Sequence, residues 1–516
     1  MKSRKLVPVV SGFLLLSGFA AFIRVTPVPQ PAPKPNIILI MADDLGYSDL
    51  ASYGSSHVKT PNIDALSQRG VRFTQAYVTA PICSPSRAGL ITGRYQQRFG
   101  YEFLPHNAVD PRQLPEEGRR LLEEHGKRVG NIPEPIADLT AFNRIPKGLP
   151  AEEVSLAELL KPAGYKTAFI GKWHLGAQDG FFPDQHGFDY SYYFQGGGSR
   201  YVDTQHEADY VNKRLPWCLT DLVMWRKREG ESALREGRTM VDDTGYLTFS
   251  LADKATRFIA DNRQNPFFLL LSLNAPHDPF QAPKRYVDRI QNEQDTVERI
   301  YYAMIEALDD AVGQVVKQVN SAGLGQNTLI VFISDNGGAA YTRATDNAPL
   351  RGGKMSHFEG GIAVPFFINY PAAFSGVKTY DQPVSSLDIF ATIAAVTQTK
   401  LPADRRYDGV NLLPFVLGRN TARPHDTFFW RSGYSKAFRK GDWKLYLNER
   451  NKKVLLFNLA NDRSEQTDLS GTNPAKLLEL RQELERWEKQ EMRAPRWQNS
   501  NNCTIQVRGE DYYFPI

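Results

Sequence analysis

One run of the chain combines a nucleophile, a positive charge and helix-capping signals, and it reads Pro-Ile-Cys-Ser-Pro-Ser-Arg around Cys83. Ser84 suits an N-cap and Pro85 suits the first helical position. We therefore expect a short helix to begin directly after Cys83 and to end at Gly93. The positive helix end stabilises a developing anion and attracts an anionic substrate, and Arg87 adds a fixed charge one turn further. The competing interpretation is a small buried cysteine beside a capped helix.

Two pairs of oxygen-bearing side chains follow apolar segments of the sequence. Asp43 and Asp44 follow the first segment, and Asp335 and Asn336 follow a later one. Carboxylate and amide oxygens, with no histidine or cysteine among them, favour a hard cation such as calcium or magnesium over zinc. Buried acids this close also need a cation to remain ionised together. For Asp43 and Asp44 alone, a turn or a helix cap is the competing interpretation.

Four basic or titratable side chains occupy comparable positions elsewhere. Lys172 and His174 are two residues apart, so on an extended backbone they would point the same way. His277 lies in a loop held by prolines on both sides, and Lys354 follows two glycines that permit a close approach of backbone to a ligand. Taken singly, each of these residues has an ordinary structural alternative, as a surface lysine or a structural histidine.

Continuous apolar segments predict strands that are buried on both faces, and each segment ends at one of these polar groups. The segments are 36–41, 167–170, 266–273 and 328–333. Helical patterns lie between them, over about 151–160 and over 300–319. In an open parallel α/β sheet, sites form beyond the carboxyl ends of the strands, so the four loops should converge. We therefore expect an α/β fold and an enzyme.

The pattern Cys-x-Pro-Ser-Arg followed by Leu-x-Thr-Gly-Arg, over residues 83–94, resembles the signature of type I sulfatases. In that family this cysteine is oxidised to formylglycine, whose hydrated aldehyde is the nucleophile. The resemblance covers nearly the whole body of the chain. It implies an alkaline phosphatase-like fold, in which helices sandwich a large, mostly parallel or mixed central sheet. It also implies an activity, the hydrolysis of sulfate esters.

The resemblance further implies a role for each residue named above. Arg87 is expected to orient the hydrated aldehyde, and His174 to remove a proton from it later. Lys172 and Lys354 are expected to neutralise the sulfate oxygens together with a metal, while His277 protonates the leaving alcohol. Sulfuryl transfer spreads charge over equatorial oxygens, so fixed cations suit this reaction. The implied metal is one calcium ion, held by Asp43, Asp44, Asp335, Asn336 and the modified residue Cys83.

The domain organisation follows from composition along the chain. Residues 1–24 are basic and then apolar, which indicates a secretory signal, with an uncleaved membrane anchor as the alternative. Residues 25–35 form a proline-rich spacer. We place a catalytic domain over 36–419 and a smaller subdomain over 420–516, where short strands and a charged helix predict an α+β unit with a short antiparallel sheet. The protein is expected to be exported, either to the periplasm or to the medium.

The expected substrate is a sulfated polysaccharide or oligosaccharide met outside the cytoplasm. A long polar and aromatic stretch, 180–217, lies between two of the loops, and within it Arg200 and His206 are candidates to hydrogen-bond to a sugar. Ordinary surface-loop residues are the alternative for both. Two competing functions remain, namely a phosphate or phosphonate monoester hydrolase on the same scaffold and a non-catalytic polyanion-binding protein.

The composition limits which other partners we expect. The 516 residues are 41% hydrophobic and carry a net charge of +5 with scattered basic residues, which gives no argument for nucleic acid. The expected protein partner is a formylglycine-generating maturation enzyme, and no obligate protein partner is evident. Cys218 and Cys503 match neither a zinc spacing nor a disulfide framework, and the sequence leaves open whether they pair.

Overall fold

The computed structural model describes residues 34–109, 111–202, 209–218, 227–291, 293–374, 376 and 378–516, together with residue 8. Residues 34–516 form one compact unit. The predicted signal segment 1–24, apart from residue 8, and residues 25–33 of the predicted spacer lie outside the described residues. No helix within the described ranges is long and apolar enough to cross a membrane.

The described part of the chain alternates strands and helices over most of its length. Its strands, numbered along the chain, are β1 (Asn36–Asp43), β2 (Val71–Phe73), β3 (Ala76–Tyr77), β4 (Asn131–Pro133), β5 (Lys166–Lys172), β6 (Tyr190–Phe194), β7 (Tyr210–Lys213), β8 (Arg235–Glu236), β9 (Thr239–Met240), β10 (Phe267–Pro276), β11 (Phe280–Pro283), β12 (Thr328–Ser334), β13 (Phe366–Asn369), β14 (Lys378–Tyr380), β15 (Val384–Ser385), β16 (Thr427–Ser432), β17 (Ser435–Lys440), β18 (Trp443–Asn448), β19 (Lys453–Asn458), β20 (Asn501–Val507) and β21 (Glu510–Pro515). Its α-helices are Pro61–Gln68, Cys83–Thr92, Glu116–Val129, Leu139–Arg144, Leu156–Leu160, Leu247–Asp261, Lys284–Val287, Thr296–Ser321, Glu359–Ile362, Asp388–Val396, Leu413–Val416 and Pro474–Glu491.

Ten strands form the central sheet in the order β14-β2-β13-β12-β1-β10-β5-β6-β8-β9. The middle five strands, β12, β1, β10, β5 and β6, run parallel. Strand β13 joins them antiparallel to β12, which makes the sheet mixed. The predicted fold class, a large mostly parallel or mixed sheet in an α/β protein, is confirmed.

The burial of β1 explains its central place. All eight of its residues are buried, and alternate side chains enter different hydrophobic clusters, with Ile38 and Ile40 on one face and Ile37 and Leu39 on the other. A strand that buries both faces needs cover on both sides. The long helix Thr296–Ser321 contributes its apolar side chains to the first cluster, and helices Cys83–Thr92 and Asp388–Val396 contribute to the second, so helices sandwich the sheet.

Two predicted helix starts are wrong. The helix expected after Cys83 begins at Cys83 itself with Ile82 in the N-cap position, and the Ser84 hydroxyl bonds to the carbonyl of His174 at 2.6 Å and to the Tyr101 hydroxyl at 2.7 Å. The helix expected from residue 151 begins at Leu156, where Ser155 caps it in a capping box. The first start depends on a long-range hydrogen bond that the local pattern does not reveal, whereas the second follows a Ser-x-x-Glu capping box that is visible at residues 155–158. The predicted end at Gly93 is confirmed, since Gly93 has a φ of 67°.

The C-terminal part carries the expected short antiparallel sheet. Strands β16, β17, β18 and β19 pair in that order, and Leu480, Leu484 and Trp487 of helix Pro474–Glu491 pack in one cluster with side chains of this sheet. A second small sheet joins β21 and β20 to β4, so the last residues pair with the segment that follows the Cys83 helix by about 40 positions. The boundary at 419 and 420 stays a prediction.

Candidate active site

The ends of four neighbouring parallel strands bring the predicted residues together. Asp43 ends β1, Lys172 ends β5, His277 directly follows β10 and Asp335 directly follows β12. Because these four strands are adjacent and parallel, their carboxyl ends lie at one edge of the sheet. The N-terminus of the Cys83 helix lies at the same edge, since the Cys83 Sγ atom is 3.3 Å from Nδ1 of His174.

Cys83 is almost fully buried, and burial raises the pKa of its thiol even though Lys172 and Lys354 act in the opposite direction. A thiol with a raised pKa carries little thiolate at neutral pH, and the thiolate is the reactive form of cysteine. The surroundings of Cys83 therefore disfavour ordinary thiol chemistry.

Arg87 is held rigidly beside Cys83. Its Nε and Nη2 atoms donate to Oδ2 of Asp335 at 2.8 and 2.6 Å. Its Nη1 atom donates to the carbonyl of Lys172 at 3.0 Å and to the hydroxyl of Ser272 at 2.6 Å. The guanidinium thereby ties the Cys83 helix to the ends of β12 and β5 and to Ser272 within β10, so its charge is fixed in position before any substrate binds.

The two lysines pair with the two adjacent aspartates. Lys172 Nζ lies 2.6 Å from Oδ2 of Asp43, and Lys354 Nζ lies 2.8 Å from Oδ1 of Asp44. Lys172 is wholly buried and Lys354 is only 6% exposed. The glycines before Lys354 serve a close approach between backbones, because a Cβ atom at Gly353 would lie 2.5 Å from the carbonyl oxygen of Gly338. Both ammonium groups therefore face the interior of the site.

The backbone conformation at His174 differs from the extended one that the sequence predicted. Its φ is 53°, so residues 172–174 are not an extended strand with two parallel side chains. Asp44 also has a positive φ, 61°. Left-handed conformations at non-glycine residues are sparsely populated and cluster at functional sites. Burial, and then Lys172 and His106, hold the pKa of His174 well below its usual value, which keeps the imidazole neutral.

His277 is buried against Asp44 and Asp278. Its Nδ1 atom lies 2.6 Å from the carbonyl oxygen of Asp278 and must donate there, because a carbonyl only accepts. Nε2 then faces Oδ2 of Asp44 at 3.6 Å. Burial, followed by the charge of Lys354, lowers the pKa of His277 to about 4. The Tyr201 hydroxyl, 2.8 Å from the His277 carbonyl oxygen, fixes this loop.

Several oxygens at this edge of the sheet are suited to a cation. Oδ1 of Asp43 and Oδ1 of Asn336 are buried and have no hydrogen-bond partner among the described residues. Burial and the neighbouring Asp43 raise the pKa of Asp335 to about 6. A bound cation would offset the repulsion between these crowded carboxylates and stabilise their ionised forms. Ligand atoms of Asp43, Asp44 and His277 also lie within 4.8 Å of one another. The donor set, mostly oxygen, fits a hard cation.

The two predicted sugar contacts have different outcomes. Arg200 is 5% exposed, and its carbonyl accepts from Nε of Arg228 at 3.0 Å, next to the Tyr201 that braces the His277 loop. His206 lies outside the described residues. Both assignments stay predictions. Cys218 and Cys503 are buried in separate hydrophobic clusters.

Sequence reasoning missed two residues beside the site. His106 Nε2 lies 3.2 Å from Nε2 of His174, and Nδ1 of His106 lies 3.6 Å from Oε2 of Glu231. His106 follows the Cys83 helix in a loop, and Glu231 lies in a turn before β8. No apolar strand precedes either of them, so the pattern that revealed the other residues gave no signal here.

Three comparisons place the chain among known proteins. The family description "Sulfatase" matches residues 35–399. N-acetylgalactosamine-6-sulfatase of Sus scrofa is 32% identical over 444 residues, which cover 84% of this chain and 75% of that protein. Steryl-sulfatase of Rattus norvegicus is 31% identical over 458 residues, covering 78% and 73%. The crystal structure of Ps i-CgsB in complex with k-i-k-neocarrahexaose has a TM-score of 0.75 at 33% identity and covers 90% of this chain and 94% of that one.

The mixed α/β sheet with polar residues at its carboxyl edge, and its likeness to these structures, define a hydrolase of alkaline phosphatase-like fold. The chain belongs to the sulfatase family and is a sulfuric ester hydrolase. The resemblance seen in residues 83–94 is therefore confirmed at the level of the family.

Proposed function

We propose that this sulfatase removes sulfate from a sulfated polysaccharide or oligosaccharide outside the cytoplasm, with Cys83 matured to formylglycine and one calcium ion bound. The observation that carries the proposal is the convergence of Cys83, Arg87, two lysines and two histidines on one group of acidic side chains. A sulfate ester needs cations on its oxygens, a nucleophile in line with the leaving group and an acid beside that group. The edge of the sheet offers all three.

Formylglycine and calcium would each supply one kind of chemistry. Formylglycine at residue 83 would supply a hydrated aldehyde hydroxyl as nucleophile, which fits a position where burial suppresses the thiolate. Calcium would supply positive charge to the sulfate oxygens. Its proposed ligands are Asp43, Asp44, Asp335, Asn336 and the modified residue 83.

The protein's own residues do the remaining work in this proposal. Lys172 and Lys354 hold the sulfate oxygens, and Arg87 fixes residue 83 through its bonds to Asp335. His174 accepts a proton at Nδ1, which faces residue 83 at 3.3 Å. His277 donates a proton at Nε2 to the leaving alcohol. An anionic sulfate between the lysines offsets the charges that lower the pKa of His277 and so favours its protonated form.

The glycan part of the proposal is supported by relatives rather than by the site itself. One similar protein is named N-acetylgalactosamine-6-sulfatase, and one similar structure contains neocarrahexaose. Another relative is named steryl-sulfatase, so identity alone does not choose the substrate. Export of the chain and sugar contacts from Arg200 and His206 belong to the same proposal.

A substrate panel tests the proposed function. Sulfate release is measured from neocarrahexaose, from chondroitin sulfate hexasaccharide and from 4-nitrophenyl sulfate, with 4-nitrophenyl phosphate as the competing chemistry and Cys83→Ala as the blank. We expect at least one oligosaccharide to be hydrolysed with a higher kcat/KM than the aryl ester, because a site built for sugar hydroxyls disfavours compounds without them. Faster turnover of the aryl sulfate than of every oligosaccharide would contradict the glycan proposal.

A further inference from the structure

A large cavity opens beside the nucleophile and is separate from the group of catalytic residues described above. Its volume is about 1080 Å³, and His106 lines it. His106 contacts His174, which in turn contacts Cys83, so two side chains join the cavity to the reacting centre. Sites for a single small molecule occupy about 300–1,000 Å³. The cavity beside His106 is thus large enough for more than the group attached to one sulfate.

The walls of this cavity come from segments far apart in sequence. One wall is the loop and helix after the Cys83 helix, including Val109 and Glu116–Val129. The opposite wall is β4 with residues from the C-terminal strands, including Asn501 and Ile516. Val109 is 59% exposed and Ile132 is 42% exposed, among the few large apolar side chains of the described chain left in contact with solvent. Apolar side chains exposed in a cavity can pack against the C–H faces of sugar rings.

The cavity is lined by three cationic side chains, Arg112, Arg119 and Lys127, and by two carboxylates, Glu123 and Glu134. Arg119 and Lys127 both line it and are exposed on helix Glu116–Val129, eight residues apart and so on one side of the helix. Lys127 pairs with Glu123 at 2.6 Å, whereas Arg119 has no ion pair among the described residues. An exposed guanidinium in a cavity that also exposes apolar side chains suits a ligand with both sulfate groups and C–H surface.

We propose that this cleft binds the sugars of a sulfated oligosaccharide that lie beyond the ester being cleaved, with Arg119 and Lys127 contacting their further sulfate groups. The inference deepens the proposed glycan function and rests on it. It also predicts that the enzyme prefers substrates several sugars long, because a monosaccharide sulfate would leave the cleft empty.

The test reverses the charge of exposed cations on helix Glu116–Val129, with a control that also changes Arg144 of the next helix. The double variant Arg119→Glu/Lys127→Glu is compared with Arg120→Glu/Arg144→Glu, which changes the net charge equally at exposed positions that do not line the cavity. Binding of neocarrahexaose and of chondroitin sulfate hexasaccharide is measured in the inactive Cys83→Ala background, and kcat/KM is measured on 4-nitrophenyl sulfate in the active background. We expect Arg119→Glu/Lys127→Glu to bind whichever hexasaccharide binds more tightly to the unaltered cleft, with an affinity roughly tenfold lower than that of the unaltered cleft. Its kcat/KM on 4-nitrophenyl sulfate should be unchanged.

The possible outcomes distinguish failure of the cleft proposal from failure of the proposed glycan function. If wild type hydrolyses a hexasaccharide but the lining and control variants bind it alike, the cleft proposal is overturned and the glycan function stands. If no hexasaccharide binds or is hydrolysed while the aryl sulfate is, both fail. Equal losses on aryl sulfate and hexasaccharide would also overturn the cleft, because they would show damage to the reacting centre.

A second observation concerns the histidine pair itself. Nε2 of His106 lies 3.2 Å from Nε2 of His174, a distance at which one of the two nitrogens donates its hydrogen to the other. If His174 is to accept a proton at Nδ1, its own hydrogen must be on Nε2, and His106 must then accept there and carry its hydrogen on Nδ1. That nitrogen faces the Glu231 carboxylate at 3.6 Å. The carboxylate therefore favours the tautomer that frees Nδ1 of His174.

We infer that His106 and Glu231 are positioning residues that fix the tautomer and the ring orientation of His174. The backbone supports both sides of this arrangement. The Glu231 carbonyl accepts from the amides of Gln195 and Gly196 at 2.9 Å, and the next residue, Gly197, packs against the His174 ring. Outer partners of this kind orient a reactive imidazole through their hydrogen bonds to it.

Substitutions of His106 can distinguish a role in positioning His174 from a role in packing alone. His106→Gln keeps an acceptor near the position of Nε2, whereas His106→Leu fills similar space without one. On 4-nitrophenyl sulfate, which leaves the cleft empty, we expect His106→Leu to lower kcat by about 10–100-fold at unchanged KM, Glu231→Gln to lower it less, and His106→Gln to retain most activity. Equal losses in the leucine and glutamine variants, or no loss in His106→Leu, would overturn the inference.

Discussion

Position 83 shows how surroundings constrain the chemistry of a single residue. Cys83 is buried at a helix N-terminus, one of the places where a thiolate is normally stabilised, yet burial raises the pKa of its thiol. Arg87, the nearest fixed cation in sequence, is already engaged by Asp335. A cysteine left in this state would be a poor nucleophile, which is consistent with its conversion to an aldehyde.

The first prediction concerns that conversion. Mass spectrometry of the peptide containing residue 83, from protein made in a host with the maturation enzyme, should show loss of the thiol and reactivity towards hydrazides. Cys83→Ala should abolish turnover and leave the fold intact, because the proposed nucleophile is the matured side chain at this position. Cys503→Ala, at a buried cysteine of β20, is the control and should keep turnover. Fully active protein with an intact Cys83 thiol would refute the conversion.

The second prediction concerns the acidic group. Asp335→Asn should reduce bound calcium well below one equivalent and lower activity by more than 100-fold, above the roughly 10–100-fold typical of outer partners. Elemental analysis of purified protein gives the first value, and kcat/KM gives the second. Asp309→Asn changes another buried acid, one that binds the amides of Asn62 and Ile63, and should leave the metal content unaltered. Zinc in place of calcium, or activity that survives thorough chelation, would count against the site.

At the scale of elements, the close contact of β5 with β10 positions the end of β5. Gly171 precedes Lys172 and has a φ of 115°, and a Cβ atom there would lie 1.9 Å from the carbonyl oxygen of Ser272. Only glycine fits both the conformation and the contact. The same turn sets the Lys172 carbonyl where Arg87 and the Ser272 hydroxyl donate to it, at 3.0 and 2.7 Å.

The third prediction tests this contact. Gly171→Ala should lower kcat at least tenfold and destabilise the fold by about 1–3 kcal/mol, because the new methyl group displaces the end of β5. Gly164→Ala is the matched control, since Gly164 also has a positive φ, 86°, but no atom within 4 Å of the added Cβ. It should cost only about 1–2 kcal/mol of backbone strain and keep full activity. Equal activity in both variants would show that the contact with β10 does not position Lys172.

At the scale of the whole molecule, the C-terminal sheet is bonded to the catalytic loops through a buried ionic group. Lys444 of β18 lies 2.9 Å from carboxylate oxygens of both Glu359 and Glu465, and all three side chains are wholly buried. Glu359 begins the helix that follows the Lys354 loop, and the amide of Met355 donates to the carbonyl of Pro81. The sheet therefore braces the segment that carries Lys354 against the segment that carries Cys83.

The fourth prediction follows from that bracing. Lys444→Met should destabilise the protein by about 3–5 kcal/mol, because it leaves two buried carboxylates without their cation. The control is Lys453→Met in β19, the strand next to β18; it removes an exposed pair with Glu510 of β21 and should cost less than about 1 kcal/mol. Denaturant unfolding measures both values. A Lys444 variant as stable as the Lys453 variant would show that the buried group does not hold the sheet in place.

The sequence by itself determined the class of fold and the residues at the strand ends. Apolar segments such as 36–41 have one physical solution, a strand covered on both faces, and in parallel sheets the polar residues that follow meet at one edge. The signature over residues 83–94 added the family. All of these signals are local in the chain, which is why they can be read without coordinates.

Only the tertiary structure decided how those residues act on one another. The pattern did not reveal that Ser84 bonds to the His174 backbone, that His174 adopts a positive φ, or that His106 and Glu231 lie behind it. The contacts among them join positions many residues apart, and for the buried Ser84 hydroxyl the long-range bond outweighs the local preference because a buried polar group must find a partner. The cleft beside His106 likewise exists only because the C-terminal strands pair with β4, a contact across about 370 residues.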